Sequence, residues 1–128
     1  MNTQQRSVAQ RVVVLGASHK PERYANQAIR LLREYGHVVI PVHPKLQEVE
    51  GIAVVSKLEA IEGKVDTLTM YIGAERSSQI ADAILKLKPG RVIFNPGSEN
   101  PELEVSLNAA GIPFEHACTL VLLRTGQF

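Results

Sequence analysis

The 128-residue chain has no tryptophan and a single cysteine, Cys118. One cysteine excludes an intrachain disulfide, and with it the small secreted scaffolds that depend on disulfides; it fits a reducing compartment. Aromatic residues make up only 5%, too few for the stacking platforms on which single-strand nucleic-acid binders lay their bases. Neither sign of charge dominates. A formal net charge of +1 gives no electrostatic case for nucleic acid, an anionic membrane or a large acidic partner. No apolar run approaches the roughly 18 residues that a membrane helix needs. The opening Met1-Asn2-Thr3-Gln4-Gln5-Arg6-Ser7-Val8 lacks the apolar core of a secretory signal. The expectation is a cytoplasmic protein.

What is present is one domain's worth of alternating apolar runs. Residues 1–10 read as an N-terminal arm or short leading helix, and 11–128 as a single domain. Val12-Val13-Val14-Leu15 is short, β-branched and continuously apolar, as in a strand covered on both faces. Ala25, Ala28, Ile29, Leu32 and Tyr35 then recur at helical spacing and Gly36 closes the run. Pro21 suits a first helical position, and Asn26 could also cap. The second strand is 37–42, where Pro41 argues for an edge position or a bulge. Ile52–Val55 reads as a short extended piece and Ser56–Ile61 as a short helix.

The third strand is 67–72, followed by a helix marked by Ile80, Ala81, Ile84, Leu85 and Leu87 and ended by Pro89-Gly90. Arg91–Phe94 is the fourth strand. Asn100-Pro101-Glu102 opens a helix with buried Leu103, Leu107 and Ala110, and 112–116 is the fifth strand. Strands joined by helices run parallel with right-handed crossovers. The expected fold is therefore α/β: a Rossmann-like, three-layer fold around a five-stranded, mainly parallel sheet. Ligands bind such sheets beyond the strands' carboxyl ends. That selects the loops 16–21, 43–45, 73–77, 95–100 and 117–119.

The first loop invites a dinucleotide reading, which fails in two places. The fingerprint needs three glycines and, about 20 residues on, a carboxylate for the ribose diol. Only Gly16 is present, with Ser18 and Pro21 at the other glycine positions, and the second strand ends Val42-His43-Pro44. A nicotinamide-dependent oxidoreductase is thereby disfavoured. The loops instead offer anion chemistry: the Ser18 hydroxyl, Lys20 and Arg23 near the helix start, and Lys45 after the second strand. Such groups suit a ligand with several phosphates. Taken singly, each cation is better read as a solvated surface charge; their predicted convergence at the sheet's carboxyl edge shifts the balance.

The run from Val13 through Gly16-Ala17-Ser18-His19-Lys20-Pro21-Glu22-Arg23 resembles the opening of the small bacterial CoA-binding domain proteins. These are single-domain relatives of the amino-terminal domain of the succinyl-CoA synthetase alpha subunit. The likeness continues through 36–45 and Asn95-Pro96-Gly97-Ser98-Glu99-Asn100, covering roughly residues 11–123. It implies that coenzyme A is the ligand. It implies that the backbone of Gly16 and Ala17, with Ser18, cradles the phosphates, assisted by Lys20 or Arg23. It also implies that Val42, His43, Pro44 and Lys45 pack on the adenosine end, with Ile72 and Gly73 as the facing wall. The 3′-phosphate of CoA explains the missing carboxylate, since an acid at that corner would repel it and Lys45 attract it. Two positions depart from the family pattern: His43 stands where asparagine is common, and Tyr71-Ile72-Gly73 replaces an aromatic–arginine pair, with Arg76 further on.

No catalytic constellation stands out. His19, His43 and His116 all fall near the carboxyl edge but show no metal-ligand spacing and no cysteine cluster. Glu99 and Glu115 are isolated acids. Cys118 reads as a small hydrophobe; the sharper alternative puts it close enough to the CoA thiol for a mixed disulfide. The leading reading is a non-catalytic CoA or acyl-CoA binding or sensing module. The alternatives are an NAD(P)-dependent oxidoreductase and an interaction protein with a vestigial nucleotide site.

Overall fold

Arg11–Leu15 forms β1, and in the computed structural model, which describes residues 8–128, it lies inside the sheet with a parallel strand on each side. The arm expected over 1–10 falls, for residues 1–7, outside the described residues. After α1 (Tyr24–Glu34), β2 (Val38–Val42) pairs with one edge of β1. The chain then crosses to the other edge. There β5 (Thr67–Met70), β6 (Arg91–Phe94) and β7 (Phe114–His116) add outward in turn. The order β2-β1-β5-β6-β7 is parallel at every pairing. The strand order therefore reverses between β1 and β5, and the crevice there opens beside Gly16.

Period-two alternation in β1 divides the core. Val13 and Leu15 pack with Leu68 and Met70 against α3 (Ala81–Leu87) and α4 (Pro101–Ala109), through Ile84, Leu103 and Leu107. Val12 and Val14 face the other way, against Ile29 and Leu32 of α1 and Leu123 of α5 (Thr119–Arg124). Helices thus cover both faces, which is why the strands read as unbroken apolar runs. Asn100 caps α4 by accepting from the Leu103 N–H at 3.1 Å, with Pro101 in the first turn, as its sequence predicts.

Several expectations are corrected. Helix α1 neither starts at Pro21 nor is capped by Asn26; it starts at Tyr24, and Arg23 occupies the cap position without a side-chain bond. The helix after β5 is two helices, α2 (Ala74–Gln79) and α3, offset at Ile80. The sequence Ala-Glu-Arg-Ser-Ser-Gln of α2 has no apolar period to betray it. The piece Ile52–Ala53 is β4, paired antiparallel with β3 (Glu48–Val49) across a turn in which Glu50 and Gly51 both have positive φ, 52° and 77°. That is the geometry of a type I′ hairpin, carried here by Glu-Gly rather than Asn-Gly. The short helix in 56–61 is one 3-10 turn, Leu58–Ala60. Tyr35 and Ala110 close their helices exposed, and Ile112 precedes its strand.

Pro41 does sit on an edge strand. Its carbonyl points outward to accept from the Val55 N–H at 2.9 Å, so the N–H it lacks would also have faced away from β1.

At the opposite end of the sheet, buried His37 accepts the Gln10 N–H on Nδ1 at 3.0 Å and its ring lies 5.1 Å from that of Phe128. Burial, and then the Arg91 charge, hold the imidazole below its ordinary 6.5, so the folded state favours the neutral ring. Stability from this source is complete above the unfolded value and is lost as pH falls below it. Urea unfolding from about pH 7.5 to about pH 5.5 should show a falling midpoint, with a shallower fall in His37→Gln. Part of the slope survives in the variant because His43 is shifted the same way. An identical slope in both proteins would count against this role of His37.

Candidate functional site

The carboxyl ends of β1, β2 and β5 enclose a cleft of about 220 Å³. Its apolar walls come from Leu15, Val42, Pro44, Leu58, Ile72 and Ile80, and Gly16 lies at its margin. Four residues expected at the site, Gly16, Val42, Pro44 and Ile72, are thus brought together. Ser18, Lys20, Arg23, His43, Lys45 and Gly73 stand outside the lining, and Ala17 is buried against the α1 face. Ser56, Lys57, Glu59, Arg76 and Gln79 line the polar side. Arg76 lies within the 73–77 loop selected from sequence, although the loop proves to be α2. Lys57 carried no signal at all, because the segment bearing it is irregular.

Gly16 is a tightly constrained point of the carboxyl edge. Its φ is +97°, and a Cβ built there would stand 2.7 Å from Cγ2 of Ile72 and 3.1 Å from the Tyr71 carbonyl carbon. The N–H groups of Gly16 and Ala17 both donate to the Val42 carbonyl, at 3.1 and 3.0 Å. Those two donors are therefore occupied within the protein. Among the described residues the N–H groups of Ser18 and His19 are unpaired. Ser18 Oγ accepts from the Lys20 N–H at 3.1 Å, which leaves its hydroxyl proton to donate elsewhere.

His43 is a corner piece. Its Nδ1 accepts from the N–H groups of Lys45 and Leu46 at 3.0 and 3.1 Å. An asparagine side chain could make the same local turn. Burial lowers its pKa first, and then the charges of Arg76, Lys45 and His19. Arg76 of α2 and Lys45 of the same corner therefore place positive charge near the His43 imidazole. Lys20, Arg23 and Lys45 are exposed and enter no salt bridge among the described residues.

Further along the carboxyl edge the polar groups are largely satisfied. Buried Asn95 donates to Thr69 Oγ1 at 2.6 Å and to the Met70 carbonyl at 2.8 Å, and accepts from the Thr119 N–H at 2.9 Å. This locks β5, β6 and the start of α5 together. The Tyr71 hydroxyl is buried without a hydrogen-bond partner among the described residues, and burial pushes it up to about 12. The Glu99 carboxylate accepts from the Gly97 N–H, and backbone hydrogen bonds of this kind hold it below the usual carboxylate range. His116 pairs with Glu104 at 2.8 Å, away from His19 and His43. Cys118 is half-buried at the start of α5. Among the described residues no three His, Cys, Asp or Glu side chains form a metal-binding group, and no helix is long and apolar enough to cross a membrane.

A parallel sheet with a glycine turn at its switch point, an apolar cleft and converging cations defines a Rossmann-like domain of the nucleotide-binding class. The sequence matches the CoA binding domain family over residues 10–124, and the chain belongs to that family. It is 30% identical over 78 residues to the uncharacterized protein YneT of Bacillus subtilis strain 168, a match spanning 61% of this chain and 58% of that one. A crystal structure of an uncharacterized protein superimposes with a TM-score of 0.90 at 43% identity, covering 95% of this chain and all of the other. A dinucleotide-forming acetyl-coenzyme A synthetase 1 from Ca. Korarchaeum cryptofilum, in complex with phosphate and ADP, shares the fold with a TM-score of 0.70 at 23% identity. That likeness covers 82% of this chain but only 25% of the synthetase.

Replacing Gly16 by alanine forces both an unfavourable φ and a contact with Ile72. Gly16→Ala should lose about 2–4 kcal/mol of unfolding free energy. Equilibrium denaturation measures it, and a loss under about 0.5 kcal/mol would show the turn to be unconstrained.

Proposed function

We propose that this chain binds coenzyme A or an acyl-CoA as a binding or sensing module with no catalytic group of its own. The observation that carries the reading is the meeting of Val42, Pro44 and Ile72 around one apolar cleft that has cations on its rim. The cleft takes the adenine ring. The diphosphate lies along the 16–20 loop, where the Ser18 hydroxyl and the open N–H groups donate and Lys20 and Arg23 supply charge. Lys45, with Arg76 beside His43, attracts the 3′-phosphate.

A nicotinamide dinucleotide fits less well. The corner that would hold its ribose diol carries His43, whose Nδ1 is already engaged as an acceptor, and feels the charges of Arg76 and Lys45. The membership of the CoA binding domain family supports the same choice.

Lys45→Ala should weaken CoA by about three- to tenfold, a range set by one partly solvated charge pair. It should weaken 3′-dephospho-CoA much less. Titration calorimetry with both ligands gives the comparison, and equal weakening would remove Lys45 from the 3′-phosphate. Absence of CoA binding by the wild-type protein would remove the reading itself.

A further inference from the structure

Asn26 is the one polar side chain among the buried residues of α1, and it is fully buried. Its Nδ2 donates to the Ser18 carbonyl at 2.9 Å and to the Glu50 carboxylate, on the β3–β4 turn, at 3.2 Å. Its Oδ1 accepts from Arg30 Nε at 2.8 Å, and the same guanidinium donates to the Pro21 carbonyl at 2.8 Å. These partners fix which way the amide faces: reversed, its oxygen would meet a carbonyl and a carboxylate, and its NH₂ would meet a guanidinium.

The consequence lies one peptide unit away. A trans peptide holds its C=O and N–H antiparallel. With the Ser18 carbonyl turned in toward Asn26, the His19 N–H of the same peptide is turned outward, on an exposed residue. Without that anchor the peptide could rotate and present its oxygen to an incoming anion, replacing attraction by repulsion. The Lys20 N–H offers no substitute, because it is engaged by Ser18 Oγ.

We propose that Asn26 is a positioning residue for anion binding, holding the Ser18–His19 peptide so that the His19 N–H donates to the ligand's diphosphate. The proposal rests on the coenzyme A reading for the source of those phosphates. It adds that the β3–β4 hairpin shares the anchor, through Glu50, with the loop it helps to shape.

The test uses the ¹⁵N-labelled full chain, titrated with inorganic pyrophosphate, CoA and adenosine, as wild type and as Asn26→Asp. The aspartate keeps the side chain's size but sets oxygen against the Ser18 carbonyl. In the wild type, pyrophosphate and CoA should each move the His19 amide resonance. In Asn26→Asp that movement should vanish, and CoA should bind on the order of tenfold to a hundredfold more weakly, the worth of one hydrogen bond to a charged group. Adenosine, which needs only the cleft, should keep its affinity; an equal loss for adenosine would reduce Asn26 to a structural role and overturn the proposal. So would a His19 amide unmoved by both phosphate ligands in the wild type, a result that does not depend on the variant folding. A His19 response to pyrophosphate without CoA binding would keep the proposal and remove the coenzyme A reading. CoA binding that moves Val42 and Ile72 but not His19 would do the reverse.

Discussion

A single carbonyl oxygen, that of Val42 at the end of β2, accepts the N–H groups of both Gly16 and Ala17. The arrangement of the carboxyl edge depends on it. The chain leaving β1 must turn within one residue to bring two successive N–H groups to the same acceptor. Only a residue at positive φ, with no side chain to meet Ile72, does so without strain. The turn draws the first loop against the second strand and sends Ala17 into the α1 face. It leaves Gly16 bordering the cleft whose walls are Val42 and Ile72. The donors remaining for a ligand then begin at Ser18.

The electrostatics of the site follow from the same economy of groups. The chain as a whole is almost neutral, yet Lys45, Arg76 and His19 all act on one imidazole. Local concentration of charge, not net charge, is what an anionic ligand would meet. Of the acids, Glu50 is engaged with Asn26, Glu99 with Gly97 and Glu104 with His116, while Glu59 lines the cleft.

The fold was legible because β1, β5 and β6 are covered on both faces and so read as continuous apolar runs between helical periods. Pro41 pointed to either an edge position or a bulge for β2, and the sheet order gives the edge. What escaped was decided by contacts that leave no local pattern. The six residues of α2 carry no apolar stripe, since α3 supplies the burial. The β3–β4 hairpin turns on Glu-Gly, whose αL glutamate is an unusual choice. Asn26 looked like a cap because asparagine favours helix starts, whereas its amide is spent on a loop eight residues back. Within the site, Val42, Pro44 and Ile72 were expected together from the family resemblance, and they line one cleft. Lys57 and Gln79 were not expected, because their approach depends on how an irregular segment and a polar helix are laid over the cleft.

The outward carbonyl of Pro41 bears on whether the sheet can be extended at its rim. An open parallel sheet has two rims, and each could template a strand from another chain. Along β2 an incoming strand would need alternating donors and acceptors, but Pro41 has no N–H and its oxygen already serves Val55. The other rim, β7, is only three residues long. Neither border therefore offers a run of open backbone groups long enough to extend the sheet. Strand addition is thus disfavoured at both rims of the sheet.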